Sequence, residues 1–311
     1  MPDIVISEFM DQAAVDSAMA DYQVVYDPTL VDRSEDLATL LSDARALVVR
    51  NRTQVTAQLL EAAPKLKVVG RLGVGLDNID TVTCEARGVK VCPATGANDL
   101  SVAEWVIAGA MMLFRAAFSA RAKVQDGQWP RNQCMGRETA GKALGLVGYG
   151  NIAREAARLA QALGMRVLAF DPYVAPDDPA WGAVQRMESL EQLLAEADAV
   201  SLHVPLVDST RHLIDAKALA SMKPGAILLN AARGGVVDEE ALVEALRSGA
   251  LGGAALDVYE SEPLSQEGGA RFAGLDNVLL TPHIGGVSVE SNQRVSKLTM
   301  ANVRKVLEGE E

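Results

Sequence analysis

Short apolar runs alternate with longer stretches whose apolar positions recur three or four residues apart, and this alternation begins at the first residues. Ile4–Ile6, Gln23–Tyr26, Ala46–Arg50, Leu66–Gly70 and Val89–Val91 read as five short buried strands. Between them, Asp11–Ala20, a short piece around Leu37–Leu41, Val55–Ala63 and Ile79–Arg87 read as helices, the last two stopped by Pro64 and Gly88. Strands without internal polar alternation, each followed by a helix, predict a parallel sheet covered on both faces. Ligands bind beyond the carboxyl ends of such strands. Two strand ends are therefore of interest, Arg50-Asn51-Arg52-Thr53 and Arg71-Leu72-Gly73-Val74-Gly75-Leu76-Asp77-Asn78.

A second series follows. Ser101-x-x-Glu104 has the form of a capping box and would open a long apolar helix running to about Lys123. That helix is too apolar for a surface element. It is expected to be an interdomain spacer that also forms a dimer contact, a plain core helix being the other reading. A polar connection, Gly127 to Gly141, leads to six strands at 143–147, 165–170, 198–202, 226–230, 253–256 and 278–281. Asp215 and Asp238 are placed to cap two of the intervening helices. A last helix, about Val287–Leu307, is long enough to return to the first domain. The expected domains are then 1–97 with 287–311, and 98–286, with a hinge at the two crossings and a cleft between the domains.

Composition narrows the class. Apolar residues make up 49% of the 311 and charged residues 23%, ordinary for a soluble enzyme. The net charge of −12 argues against nucleic acid or an anionic membrane as partner, though a few arginines can still reverse the field locally. Cys84, Cys92 and Cys134 are widely spaced and fit a reducing cytoplasm. The N-terminus lacks the basic and apolar segments of a signal peptide, and the run Trp105–Phe114 is too short to span a bilayer. No cluster of His, Cys and carboxylates has metal-ligand spacing.

The chain's most informative stretch joins the strand ending at Val147 to the next helix. Gly148-x-Gly150-x-x-Ala153 is a G-x-G-x-x-A fingerprint. Gly148 permits the turn, Gly150 lets backbone approach a pyrophosphate, and Ala153 is small where helix packs on strand. The phosphates would sit at the helix N-terminus. Eighteen residues past Ala153, Asp171 ends the following strand, placed to accept the hydroxyls of an adenosine ribose. A carboxylate there repels a 2′-phosphate, and Pro172 and Tyr173 follow without an arginine, so NAD is expected over NADP.

Three ionisable residues lie just after strands of the same domain: Arg233, Glu262 and His283. Hydride transfer to a keto acid needs a cation for the carboxylate, an acid/base titrating near neutrality, and a partner that fixes that group's tautomer. Arginine, histidine and a carboxylate suit these roles in turn.

At this point the chain resembles a family, the D-isomer-specific 2-hydroxyacid dehydrogenases. The resemblance covers essentially the whole chain. It is carried by Gly70–Asp80, Ser101–Glu104, the fingerprint through Asp171, Ser201–Leu206, Asn230–Asp238, Asp257–Pro263 and Thr281–Gly286. The implied fold is two doubly wound parallel-sheet α/β domains, a discontinuous flavodoxin-like substrate domain and a Rossmann NAD domain with an interdomain cleft. The resemblance implies Arg233 as substrate cation, Glu262 as partner of the histidine and His283 as acid/base. It implies that Asp257 bonds the nicotinamide carboxamide and that backbone N–H groups around Leu72-Gly73-Val74 receive the substrate carboxylate. Asn98 matches a substrate-side position. The implied cofactor set is Gly148, Tyr149, Gly150, Asn151, Ile152, Asp171, His203, Pro205, Ala231, Asp257, His283 and Gly285. A homodimer is also implied. The regulatory C-terminal domains of longer phosphoglycerate dehydrogenases, and serine feedback through them, are not expected.

Within the family the Gly70–Asp80 block is most similar to phosphoglycerate dehydrogenases. Arg50, Arg52 and Arg71 stand in strand-end loops of the first domain. They suggest a small 2-hydroxy acid with a second anion at C3, 3-phosphoglycerate or sulfolactate. For Arg52 a surface ion pair is the preferred reading. Alternatives are a glycerate/hydroxypyruvate- or lactate-type enzyme, or a nicotinamide-dependent corepressor-like binding protein. His203 is expected to pack at a strand end beside the cofactor. His212 reads as a packing or surface residue with no acidic group around it, Glu260 as solvated, and Arg131 and Arg137 as surface charges.

Overall fold

The computed structural model describes residues 2–116 and 120–310, the side chain of Ala122 excepted. The chain forms two compact units, Met1–Asn98 with Val287–Glu311, and Asp99–Gly286.

The first unit runs β1 (Ile4–Ile6), α1 (Gln12–Met19), β2 (Val24–Tyr26), α2 (Ser34–Leu41), β3 (Ala46–Val49), α3 (Ala57–Glu61), β4 (Val68–Arg71), α4 (Thr81–Ala86) and β5 (Lys90–Pro93). A C-terminal helix, Val289–Glu308, completes it. The strands are all parallel, in the order β2-β1-β3-β4-β5. Side chains alternate across the sheet as strand geometry requires. Ile4, Ile6, Ala46, Val48 and Val68 share a core with α1 and the C-terminal helix. Val5, Leu47, Val49 and Val69 share one with α2, α3 and α4. The strand order reverses between β1 and β3, so the loops that follow those two strands open at the switch point.

The second unit runs α5 (Asp99–Arg115), α6 (Ala120–Gln125), β6 (Ala143–Val147), α7 (Asn151–Ala162), β7 (Arg166–Phe170), β8 (Gln185–Arg186), α8 (Leu190–Glu196), β9 (Ala199–Leu202), α9 (Ala216–Ser221), β10 (Ile227–Asn230), α10 (Glu239–Arg247), β11 (Gly253–Leu256), α11 (Gln266–Ala270) and β12 (Val278–Leu280). Its parallel sheet has the order β12-β11-β10-β9-β6-β7-β8. Counted from β6, this is the 3-2-1-4-5-6 arrangement of dinucleotide-binding sheets with one further strand. Asp215 and Asp238 cap α9 and α10 through the N–H groups of Ala218 and Ala241. α5 and α7 pack over one face, where Ala153, Ala156, Ala157 and Ala160 meet Ala103, Val106 and Ala110.

Three expectations change. β8 is a seventh strand, only two residues long and without an apolar run. The long helix begins at Asp99 and ends at Arg115, with Ala116 in the left-handed region (φ 49°), and helix resumes at Ala120. The part of that expected helix at 117–119 lies outside the described residues. Ser101 is buried inside α5 and does not cap it, because the helix has already begun two residues earlier. A capping box does occur at Ser288 and Ser291, opening the C-terminal helix. Arg137 is exposed, in keeping with a surface charge; it donates to Gly225 O at 2.7 Å and lies over the Phe114 ring.

Candidate active site

Asp171, His203, Arg233, Asp257, Glu262 and His283 all follow the carboxyl ends of strands in the second unit's sheet. At the β6–α7 turn, Gly148 has φ 89°, and a Cβ there would lie 2.5 Å from His203 O. Only glycine satisfies both the backbone angle and this approach. A Cβ on Gly150 would meet nothing within 4 Å, so the space before α7 is open. Gly150 is the N-cap of α7 and offers no side-chain cap, which leaves the first-turn N–H groups of a twelve-residue helix for an anion. Asp171 ties β7 to this turn, its Oδ2 accepting the Tyr149 N–H and its Oδ1 the Tyr173 N–H, each at 2.8 Å. The Tyr149 ring is buried, stacked on Trp181 at 4.8 Å and lying under Arg154. Asn151 and Gly150 are exposed, Ile152 half-buried and Pro205 exposed. His203 Nε2 shares a hydrogen bond with Ser201 Oγ at 3.0 Å, and desolvation pushes the imidazole down to about 4, so it is neutral near pH 7.

Glu262 and His283 come together. His283 Nδ1 lies 2.7 Å from Glu262 Oε2, while Glu262 Oε1 accepts the Tyr259 N–H at 3.0 Å. Burial raises the Glu262 carboxyl, but the hydrogen bond and charge of His283, the Tyr259 N–H and Arg233 outweigh it. The net effect holds Glu262 below the ordinary value, hence ionised. His283 has φ 55°, an uncommon conformation for a non-glycine residue. It is held by its own N–H on Asp257 O at 2.8 Å and by Asp257 beneath it. Asp257 is buried, and its carboxylate accepts from the Thr281 hydroxyl (2.6 Å) and the N–H groups of Ile284 (2.8 Å) and Gly285 (2.7 Å). Trp105 of α5 donates to Thr281 Oγ1 at 3.1 Å and completes the support. Ala231 packs beside Gly285 and Asp257 at the same edge. Arg233 follows β10 on a turn bracketed by Asn230, whose amide donates to Arg233 O and accepts from the Ala232 N–H.

Two other readings are overturned here. Glu260 is not simply solvated, and His212 does have an acidic neighbour. His212 Nε2 lies 3.2 Å from Glu260 Oε1, since the loops after β9 and β11 meet at the N-terminus of α10.

In the first unit the three arginines differ. Arg52 is paired with Asp32 on the surface. Arg71 is turned back on its own loop, donating to Gly75 O and Leu72 O at 2.6 Å each. Arg50 is half-buried and donates to Asn292 Oδ1 at 2.9 Å; among the described residues no carboxylate lies within ion-pair distance of its guanidinium. Its pKa is lowered by desolvation, against the opposing charge of Glu8. The Leu72 N–H donates to Val49 O and the Gly73 N–H to Arg71 O. Of the three amides expected to meet a carboxylate, these two are already engaged, and Val74, which is exposed, remains. Asn98 Oδ1 is buried and has no hydrogen-bond partner among the described residues.

Residues 107–285 match the D-isomer specific 2-hydroxyacid dehydrogenase NAD binding domain, more than half of the chain. The chain belongs to that family. It is 54% identical to an (S)-sulfolactate dehydrogenase of Chromohalobacter salexigens over 99% of both chains. It is 44% identical to a hydroxypyruvate reductase of Thermotoga maritima over 84% of both. It is 41% identical to a D-3-phosphoglycerate dehydrogenase of Mycobacterium leprae, over all of this chain and 58% of that one. The protein is therefore an NAD-dependent oxidoreductase acting on the CH–OH group of a 2-hydroxy acid.

The open, uncapped start of α7 fits a pyrophosphate, and the Asp171 carboxylate is fixed beside that turn by the Tyr149 N–H. Sequence reasoning missed the residues that hold this edge in place. Trp105, Asn230 and Thr281 act through hydrogen bonds with sequence-distant partners. In the first unit, the buried Glu8 carboxylate accepts the N–H groups of Arg50 (2.8 Å), Arg52 (3.2 Å) and Thr53 (2.9 Å), which shapes the loop that carries Arg50. A lone acid at a strand end was the only available signal.

Proposed function

We propose that the protein oxidises (S)-sulfolactate to sulfopyruvate, or reduces sulfopyruvate in the reverse direction, with Arg50 reading the C3 sulfonate. The observation that carries this reading is the state of the three arginines. Arg52 is neutralised and Arg71 is committed to its own loop, while Arg50 is a half-desolvated cation with one neutral side-chain partner. One such cation matches the single charge of a sulfonate better than the near-double charge of a phosphate ester. The full-length likeness to a sulfolactate dehydrogenase supports the same choice. The S descriptor agrees with a D-specific family. Sulfur on C3 outranks the carboxylate, so (S)-sulfolactate has the same handedness at C2 as D-lactate.

Bound NAD supplies the hydride acceptor, with Gly148, Gly150 and the α7 N-terminus holding its pyrophosphate and Asp171 its ribose. Arg233 takes the substrate carboxylate. During oxidation the hydroxyl proton passes to His283 Nε2, and the charge that develops on the ring is met by Glu262 at Nδ1. In reduction the same nitrogen returns the proton to the carbonyl oxygen. The Asp257 carboxylate keeps the ring in place through the loop beneath it.

Cytoplasmic residence and a homodimer belong to this proposal. The supporting observation for the dimer is a run of exposed apolar side chains on α5, α6 and the following segment. Met111 and Val124 are exposed, and Trp129 and Met135 are 77% and 78% exposed. Sedimentation at micromolar concentration would return twice the chain mass.

The deciding experiment is a rate panel of sulfopyruvate, phosphohydroxypyruvate, hydroxypyruvate and pyruvate with NADH, on the wild type and on Arg50→Met. Sulfopyruvate should lead, and the variant should lose about 10–100-fold of kcat/KM on it alone. Equal loss on pyruvate would remove Arg50 from sulfonate recognition. Preference for hydroxypyruvate would replace the substrate while leaving the reaction.

A further inference from the structure

Arg233 and Glu262 lie on two stretches of the second unit, 233–239 and 257–262. Beyond the reacting edge they are joined by a carboxylate for which the chemistry above has no use. Glu239, the first residue of α10, is only 4% exposed. Its Oε1 accepts the Glu260 N–H at 2.7 Å, and Glu260 Oε1 accepts the Glu239 N–H at 3.3 Å. Glu239 Oε2 pairs with Arg271 at 2.9 Å, and the same guanidinium lies 3.9 Å from Glu260 Oε2. His212 closes the cluster on Glu260.

A carboxylate in a helix's first turn ordinarily faces water and is weakly stabilised by the helix dipole. Here it is desolvated and directed at one backbone amide. That amide belongs to Glu260, two residues before Glu262, and Tyr259 N–H on the other side of it donates to Glu262 Oε1. Fixing the Glu260 N–H therefore fixes the backbone from which Glu262 reaches His283.

We propose that Glu239 is a positioning residue for the Glu262–His283 pair, with Arg271 as the counter-charge that makes its burial tolerable. Glu239 touches neither His283 nor the substrate. The proposal rests on the roles given above to Glu262 and His283.

The test uses the full-length enzyme, the best keto acid of the panel, and the variants Glu239→Ala, Glu239→Asp, Glu239→Gln and Glu262→Gln. Each is measured for kcat, for the pH profile of kcat/KM, for NADH affinity by fluorescence and for thermal stability. Glu239→Ala should lower kcat by about 10–100-fold with NADH affinity within about twofold. Its pH profile should move in the same direction as that of Glu262→Gln. Glu239→Asp keeps the charge but draws the carboxylate back by one methylene, and should share the defect even if the alanine variant does not fold. Glu239→Gln keeps an acceptor within reach of the Glu260 N–H and should recover most of the rate. An altered Glu262→Gln beside an Asp variant whose pH profile matches wild type would overturn the positioning role alone. A Glu262→Gln enzyme with wild-type rate and profile would overturn the assignment beneath it as well.

Discussion

Gly234→Ala separates a steric account of this site from a merely descriptive one. Gly234 is where the Arg233 stretch crosses the backbone that leads to Glu262. A Cβ at that position would lie 1.8 Å from Tyr259 O, 2.1 Å from Tyr259 C and 2.7 Å from Glu260 N. Carbon–oxygen contacts run at about 3.3–3.6 Å, so the two backbones must part by roughly 1.5 Å. Neither partner is a side chain that could change rotamer. Tyr259 is itself anchored, its hydroxyl donating to Thr281 O at 2.9 Å and its N–H to Glu262. Displacement therefore passes to Glu262 rather than dissipating locally. Overpacking of this kind costs about 1–3 kcal/mol, and two fixed backbones place it at the upper end. A misplacement of about 1 Å at a reacting group costs on the order of 100-fold in rate. Urea denaturation should show the loss of stability, and steady-state turnover the loss of kcat. NADH titration should stay within about twofold, because the β6–α7 turn is untouched. Wild-type kcat and stability in Gly234→Ala would refute the interlock. Parallel losses in rate and NADH affinity would refute its being local.

Other outcomes follow from the same contacts. His283→Ala should lower kcat by about 100–10,000-fold while leaving NADH binding intact, and comparable losses in both would remove it as the acid/base. The folded-state value of His203 is about 4 against 6.5 for an ordinary imidazole, so below pH 6.5 the unfolded chain takes up a proton that the folded chain refuses. Stability should therefore fall by roughly 2–3 kcal/mol between pH 6.5 and 4, and His203→Gln should flatten that part of a urea-denaturation series. Arg52→Ala should change stability and turnover negligibly, since an exposed pair with Asp32 contributes about 0–1 kcal/mol, and a large KM effect would return Arg52 to the substrate.

What could be read from the sequence was local or followed from topology. The Gly148 turn is recognisable because one residue type alone satisfies its backbone angle and its approach to His203. Arg233, Glu262 and His283 stood out because parallel sheets place ligands at strand ends, and the structure puts Glu262 against His283. Legibility fails where a residue's role is set by partners far along the chain. β8 carries no apolar run because it needs none at a two-residue edge. Ser101 matched a capping pattern, yet the backbone had entered the helix at Asp99. His212, Glu239, Glu260 and Arg271 have no common spacing, and only the meeting of three loops makes them one cluster.

The three arginines show the limit most clearly. Arg50, Arg52 and Arg71 look equivalent in the sequence, each basic and each in a strand-end loop. Their chemistry diverges through Asn292, Asp32 and the carbonyls of Leu72 and Gly75 respectively. A guanidinium that already has a carboxylate must break that pair before it can bind a second anion. One held by neutral carbonyls keeps its charge but has its donors occupied. One held by a single amide oxygen, and partly stripped of water, has both charge and donors to offer. On the function proposed above, substrate choice turns on what each arginine's neighbours leave unsatisfied, and residue type alone carries no record of that.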